Sequence, residues 1–488
     1  MHFCDEIDFT KEPSFRSPDK TEKENKVLES LDQLFEVLQL KDGDTISFHH
    51  HLRNGDFVVN KVMEEIHKRN IKGLTLAISS IFPCHSPLVA YLEDGTILHV
   101  ITSYMSGPVA EAISEGKLRG KLVMQSHGGR ARAIMEDELA IDVAFIAAPA
   151  SDRKGNLSAV DGNAFCGVLG YAVADSIKAK QVVAITDTLL DKESHTEIPQ
   201  ERVDWIVKID AIGNPQGIIS GTTRITKDPV GLSIANKAVE VMVATGLVKD
   251  GLCYQSGAGG VSLAVTKTLG EYMREHHIQG DFASGGVTGD LVEMLHEGLF
   301  QRIYDVQCFD LVSAESVKND ESHISMSAEK YASPYRDPCV NGLDFVILGA
   351  TEVDLNFNVN VTTGHDGYIM GGSGGHQDTA YGAKVSIIVS KLHQSRIPLI
   401  VDRVGVITTP GSTVDILVTE RGVAINPRRT DLMDALTNAG VEFMTIEELQ
   451  EIQHGIIGKP SPKQRENKRV IGVSEYRDGQ IIDRIYEV

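Results

Sequence analysis

The sequence predicts an α/β chain made of two homologous open α/β domains with mainly parallel sheets. Three observations carry this. Apolar runs at 142–147, 181–185 and 399–401 show no in–out alternation and are separated by helical patterns, as in parallel strands covered on both faces. A set of short matches recurs in the same order at an offset of about two hundred residues, which implies a duplicated domain rather than a solenoid. A chain of 488 residues is too long for one hydrophobic core.

The first copy begins at Lys41-Asp42-Gly43, which opens a strand at 45–48, then a polar loop and a helix at 58–67. The second begins at Lys249-Asp250-Gly251, with a strand at 252–255, a glycine loop at 256–260 and a helix at 262–273. Ile71-Lys72-Gly73 is echoed by Ile278-Gln279-Gly280, the run at 141–146 by that at 343–348, and Asn156-Leu157 by Asn358-Val359. The expected organisation is a flexible acidic arm over 1–26, an N-terminal domain over 27–228 and a C-terminal domain over 229–488, joined by a linker near 222–229. The C-terminal domain is expected to end in a β-hairpin turning at Arg477-Asp478-Gly479. In sheets of this kind ligands sit beyond the carboxyl ends of the strands, where the glycine loops fall.

Net charge is −21, from 68 acidic and 47 basic residues, which disfavours nucleic acid and anionic membranes as partners. No apolar run reaches membrane-spanning length and the start lacks a signal-peptide core. Six scattered cysteines without a C-x-x-C pair read as reduced thiols of a cytoplasmic protein.

Chemistry concentrates in a few loops. After the first strand comes Phe48-His49-His50-His51-Leu52-Arg53-Asn54-Gly55-Asp56, where the second copy has Ser256-Gly257-Ala258-Gly259-Gly260. Three adjacent histidines diverge and lack supporting ligands, so no metal site is expected. Binding of a carboxylate by His donors and Arg53 fits better; the competing reading is that one or two histidines only satisfy backbone groups at a helix start. His127-Gly128-Gly129-Arg130 reads as an anion-facing loop or a tight turn. Gly371-Gly372-Ser373-Gly374-Gly375-His376-Gln377-Asp378 packs four glycines into five residues, and so can bring bare N–H groups against a carbonyl or thioester oxygen. His376 in that loop, with Asp281 and Ser284 of Asp281-Phe282-Ala283-Ser284-Gly285-Gly286-Val287, which reads as a strand end opening into a loop, completes the set of catalytic candidates.

These motifs together resemble the coenzyme A transferase superfamily, and within it the citrate lyase alpha chain family, over about 28–488. Ser47 to Asp56, Ser126-His127-Gly128-Gly129-Arg130, Asp161-Gly162-Asn163 and Gly371 to Asp378 carry the resemblance. It implies the coenzyme A transferase fold and exchange of acetyl for citryl on an acyl-carrier-protein thioester. His49, His50, His51, Arg53, His127 and Arg130 would bind citrate; Gly257, Gly259, Gly260, Gly371, Gly372, Gly374 and Gly375 would meet the thioester. It implies no tightly bound cofactor: the phosphopantetheine arm comes from the carrier protein, with acetyl-CoA as a surrogate. Implied partners are the carrier (gamma) and lyase (beta) subunits and further copies of this chain. Many relatives in the superfamily use a glutamate to form a covalent thioester; Ser284 stands at that place, with Asp281 as the nearby acid. A Ser hydroxyl cannot form the acyl–carboxyl anhydride of that route, so direct attack by citrate in a ternary complex is expected. The competing functions are a general acyl-CoA:carboxylate transferase with a covalent intermediate and a non-catalytic sugar-phosphate sensor on a similar fold.

Overall fold

The computed structural model describes residues 25–192, 194–219, 223–460 and 468–488. The expected arm, up to residue 24, and Thr222 at the head of the expected linker lie outside the described residues.

Two large sheets organise the chain. In the first, the strand order is Val27–Leu28, Trp205–Lys208, Gln181–Thr186, Val143–Ala148, Thr45–Phe48, Leu74–Ile78, Ile97–Thr102, Leu122–Met124, Val470–Glu475 and Ile481–Tyr486. In the second it is Gly422–Ile425, Ile416–Thr419, Val385–Val389, Phe345–Leu348, Cys253–Ser256, Gly280–Val287, Phe300–Cys308 and His323–Ser325. Seven parallel strands follow one order in both, with Thr45–Phe48 and Cys253–Ser256 in matching central places. The central strands are rich in Val and Ile and buried on both faces; Val143–Ala148 and Val385–Val389 are buried at every residue. Each such side chain contributes about 1.5–3 kcal/mol by leaving water.

Two small sheets repeat as well. Ala150–Asp152 pairs with Leu157–Ser158 and Leu189–Leu190, and Glu352–Asp354 with Val359–Asn360 and Ile400–Val401. Asp152 accepts the N–H groups of Lys154, Gly155 and Asn156, and Asp354 those of Asn356 and Asn358, so each turn is closed by one carboxylate.

Several local expectations change. The run at 399–401 joins the small sheet rather than a main one. The linker stops at Asp228, whose side chain accepts from Gly231 N–H, and Pro229 is already the first residue of the helix Pro229–Ala244. His127-Gly128-Gly129-Arg130 is neither loop nor turn; it opens the helix His127–Met135 behind the cap of Ser126. The C-terminal hairpin adds to the first sheet, not to the second: Gly472, Val473 and Ser474 pair with Leu122, Val123 and Met124. It covers the edge that Leu122–Met124 would leave open.

The apolar core of the first half runs on into the second, taking in Phe282, Tyr304, Val306, Tyr331 and Val340. Among the described residues no helix is long and apolar enough to cross a membrane.

The seating of the hairpin is testable at Gly472. A Cβ there would lie 2.7 Å from Leu122 Cβ and 2.9 Å from its carbonyl oxygen. Gly472→Val should lower unfolding stability by about 1–3 kcal/mol in a urea titration; an unchanged midpoint contradicts the strand pairing.

Candidate functional site

Loops at the carboxyl ends of the two sheets meet each other. Beyond Thr45–Phe48 the backbone closes a short turn: Arg53 N–H donates to His50 O at 2.9 Å and Gly55 N–H to Leu52 O at 2.9 Å. Arg53 takes the left-handed backbone conformation, φ 50°, unusual for a side chain of this size. Its guanidinium lies over two rings, Phe309 at 4.7 Å and Phe82 at 5.6 Å. Phe309 comes from the second half.

The three histidines have three separate surroundings. His49 Nε2 lies 3.1 Å from Asp175 Oδ2. Arg130 grips the same carboxylate through both Nη atoms, at 2.9 and 2.8 Å, and the Ser47 hydroxyl also donates to it. Burial opposes ionisation of Asp175, but the Arg130 and His49 charges outweigh it and hold the carboxyl below the usual range. His51 Nε2–H donates to Ala147 O at 2.6 Å, and burial depresses its pKa to about 4.

His50 is satisfied on both nitrogens. Gln307 Nε2 donates to His50 O at 3.1 Å, which orients the amide. Gln307 Oε1 therefore accepts from His50 Nε2–H at 2.8 Å, and His50 Nδ1 accepts from the Ser79 hydroxyl at 2.6 Å. The ring is neutral: burial, then the charges of His127 and Arg53, push its pKa well down. It stacks on Tyr171 at 4.4 Å and on His127 at 5.4 Å. Burial and the Arg130 charge lower the pKa of His127 to about 3.

The glycine loop of the second half is stitched to strand ends of the first. Met105 N–H donates to Gly371 O at 3.2 Å, Gly374 N–H to Ser103 O at 3.1 Å, and His127 N–H to Gly374 O at 2.8 Å. Gly371, Gly372 and Gly375 are glycines because protein fills the space a Cβ would need: Val361 O at 2.2 Å, Ser103 O at 2.4 Å and Tyr331 OH at 2.4 Å. Gly374 has φ 51° and faces His127 Nε2. Gly260 packs on Arg224 O, 2.8 Å from a Cβ, whereas Gly257 and Gly259 face more open space. Of the seven glycines, a Cβ would meet the least crowding at Gly257, Gly259 and Gly374.

The catalytic candidates separate. Ser284 is fully buried and donates to Gln255 Oε1 at 3.1 Å, while Gln255 Nε2 donates to Tyr331 OH at 2.7 Å. Gly280–Val287 is one continuous strand, so Asp281 sits at its amino end. There it pairs with Arg302 at 3.2 Å, on the side away from the loops that meet. His376 has both nitrogens engaged: Nε2–H donates to Gly349 O at 2.9 Å and Nδ1 accepts from Thr409 Oγ1 at 2.7 Å; burial brings its pKa to about 4. Arg130, His49 and His50 are likewise engaged with protein partners. Among the expected substrate contacts, Arg53 Nη1, His127 Nδ1, both ring nitrogens of His49, His51 Nδ1 and Arg130 Nε are shielded atoms without a hydrogen-bond partner; of these side chains, His49 and Arg130 lie against the Asp175 carboxylate.

Sequence reasoning missed Asp175, Tyr171, Gln307 and Phe309. Asp175 left one signal, an acid directly after the apolar run Ala172-Val173-Ala174 in the helix Ala172–Lys178. The others left none, since each acts across a gap of more than a hundred residues in the chain. Asp378, at the end of the glycine motif, accepts from the Ser126 hydroxyl and Gly128 N–H, each at 2.9 Å, and burial pushes its pKa up to about 6.

That raised value has a sign. Unfolded, Asp378 would titrate near 4, so the folded state binds its proton more tightly between pH 4 and 6. The resulting stabilisation is present below pH 4 and is lost as pH rises through about 6. Relative to Asp378→Asn, the native chain should lose about 2–3 kcal/mol of unfolding free energy across that window; parallel stability profiles for the two proteins would contradict it.

The family described as "Citrate lyase, alpha subunit (CitF)" matches residues 24–488. The citrate lyase alpha chain of Haemophilus influenzae is 45% identical over 478 residues, covering 98% of this chain and 95% of its own length. That of Escherichia coli is 43% identical, covering 99% and 95%. A crystal structure described as the putative alpha subunit of citrate lyase from Streptococcus mutans, in complex with citrate, superposes with a TM-score of 0.94 at 46% identity, covering 99% of this chain and 95% of that one. A malonate decarboxylase alpha subunit from Acinetobacter baumannii shares the fold at 15% identity, with a TM-score of 0.66 and 89% of each chain covered.

Proposed function

The chain belongs to the citrate lyase alpha subunit family, a family of transferases, and from that premise we propose that it exchanges acetyl for citryl on the thioester of an acyl carrier protein. One observation carries the reading: the Arg53 guanidinium lies over the Phe309 and Phe82 rings, and its Nη1 has no hydrogen-bond partner. The citrate-bound relative from Streptococcus mutans supports citrate as the substrate whose carboxylate meets that guanidinium.

The reaction runs in two acyl transfers. A citrate carboxylate oxygen attacks the acetyl thioester carbonyl; the C–S bond breaks, giving an acetyl-citryl anhydride and the carrier thiolate. The thiolate then attacks the citryl carbonyl, the anhydride C–O bond breaks, and citryl thioester and acetate leave. No proton is gained or lost overall, so no general base is needed. The protein orients the two substrates and stabilises the oxyanions. Arg53 holds a carboxylate by charge, and the glycine loops face the thioester side, where Gly257, Gly259 and Gly374 leave the most room, the N–H groups of Gly257 and Gly374 being donated to Ile347 O and Ser103 O. The phosphopantetheine arm arrives with the carrier (gamma) subunit, and acetyl-CoA serves as its surrogate. A lyase (beta) subunit would cleave the citryl thioester, and further copies of this chain complete the assembly. Two features favour direct attack over an enzyme-bound thioester: the Ser284 hydroxyl is donated to Gln255, and Asp281 is paired with Arg302 at the wrong end of its strand.

Charge-assisted hydrogen bonds contribute about 1.5–3 kcal/mol each, so Arg53→Ala should raise the KM for citrate by roughly ten- to hundredfold with little change in unfolding midpoint. Unaltered citrate kinetics would remove Arg53 from the site. For the mechanism, protein incubated with acetyl-CoA alone should show no mass adduct, and Asp281→Asn should keep most of its activity. An acyl or thioester adduct on Asp281, or parallel double-reciprocal lines with varied citrate, would assign the covalent route instead.

A further inference from the structure

Arg53 belongs to the first half, but the groups that hold its surroundings come from the second. Phe309 follows the strand Phe300–Cys308, and its N–H donates to Val287 O at 2.8 Å, which fixes where the ring starts. The ring then lies against Gly286. A Cβ at Gly286 would sit 2.2 Å from two atoms of the Phe309 ring, so no larger residue leaves the ring in place. The same segment supplies Gln307, which is 3% exposed and holds both the carbonyl and the Nε2–H of His50. Two residues at one strand end, Gln307 and Phe309, thus reach across to two residues of the His-Arg loop.

The geometry has a chemical consequence. A partly buried guanidinium without a carboxylate partner is costly to desolvate. Two aromatic faces, Phe82 from its own half and Phe309 from the other, compensate electrostatically without using its N–H groups. They hold the fork without engaging Nη1, which keeps no hydrogen-bond partner in the protein. An acidic partner in their place would have neutralised the charge the ligand needs.

We infer that Phe309, seated by Gly286 and carried on the same strand end as Gln307, is a positioning residue that holds Arg53 in its carboxylate-binding pose, so that carboxylate affinity depends on the contact between the two halves. This rests on Arg53 as the carboxylate contact proposed above. It makes a specific claim about the second half: its strand end serves the carboxylate as well as the thioester.

The experiment varies the electronics of the ring without its size. Phe309 is replaced by phenylalanines carrying one, two and three ring fluorines, in the full chain assayed with acetyl-CoA and citrate. Each fluorine weakens the negative face of the ring, so the KM for citrate should rise stepwise, to roughly tenfold in the trifluoro protein. kcat and the KM for acetyl-CoA should stay within about twofold, because the ring meets neither the acyl group nor the thiol. Gly286→Val, which displaces the ring, should raise the citrate KM in the same direction, and in Arg53→Ala the fluorine series should be flat. If Arg53→Ala raises the citrate KM but the fluorine series in the native background leaves it unchanged, the positioning role is wrong and the carboxylate assignment stands. If Arg53→Ala itself leaves citrate kinetics unchanged, the carboxylate assignment fails and this inference with it. A rise in the citrate KM that persists in Arg53→Ala would overturn the role of Phe309 as acting through Arg53.

Discussion

The buried ion cluster around Asp175 is the constraint from which the rest of the site follows. Three residues converge on the carboxylate of Asp175, which is carried by the helix Ala172–Lys178: Ser47 from the central strand, His49 from the loop after it and Arg130 from the helix after Leu122–Met124. Arg130 also reaches Ala77 O at 3.4 Å, on the neighbouring strand. A charge pair buried this deeply is tolerated only while every partner is present, and removing one costs about 3–5 kcal/mol. The cluster therefore fixes the relative heights of the strand ends. Once Ser47 and His49 are pinned below, the next residues must project upward: His50 toward Ser79 and Gln307, His51 toward Ala147, and Arg53 into the cleft. The order of the histidine run is a consequence of this anchoring.

A triple histidine beside an arginine looks strongly cationic on paper. In the fold, His50, His51 and His127 are pushed to the neutral form by burial, reinforced by neighbouring positive charge. The Arg53 guanidinium is the cation of the His-Arg loop, and burial lowers even its pKa to about 10. Two effects compete here. Charge on the histidines would attract a polyanion more strongly, but several cations a few ångströms apart and shielded from water would repel one another by more than an exposed substrate could compensate. Neutral rings avoid that repulsion and still offer shape, stacking surface and oriented dipoles.

Much of the fold was legible because it rests on local pattern and repetition. Unbroken Val/Ile runs name parallel strands without knowledge of their neighbours, and the Lys-Asp-Gly starts mark matching strands in both copies. The hairpin at the C-terminus was legible as a hairpin, but its sheet was not. Its docking depends on Gly472 fitting against Leu122, a contact spanning most of the chain. The site followed the same division. The loops that carry it were visible from composition, whereas the fate of each side chain depended on partners from elsewhere. His376 and Ser284 resemble catalytic groups in sequence, yet each is closed into hydrogen bonds by residues that sequence spacing does not connect. Asp281 appeared near Ser284 because three residues separate them. On an extended strand that distance is about 10 Å, with the side chains on opposite faces. Glycine was the most ambiguous signal: the same residue marks a backbone packed too closely for a Cβ, as at Gly372, and a backbone left open, as at Gly259.

Under the proposed function, the duplication gives one architecture two strand ends for two chemically different substrates. At the end of its central strand, the first half carries side chains with charge and rings; the second half carries Ser256 to Gly260, nearly bare. A carboxylate needs a fixed cation and donors, whereas a thioester on a long flexible arm needs clearance and backbone N–H groups. A single copy offers one such strand end and would have to compromise between them. Two copies with their strand ends facing can specialise, provided that something keeps the two ends in register. The crossing contacts do this in both directions: Gln307 and Phe309 reach from the second half to His50 and Arg53, and Ser103, Met105 and His127 of the first half hold the glycine loop of the second. Because these contacts are made by the same residues that shape the cleft, the proposed carboxylate and thioester subsites depend on one interface.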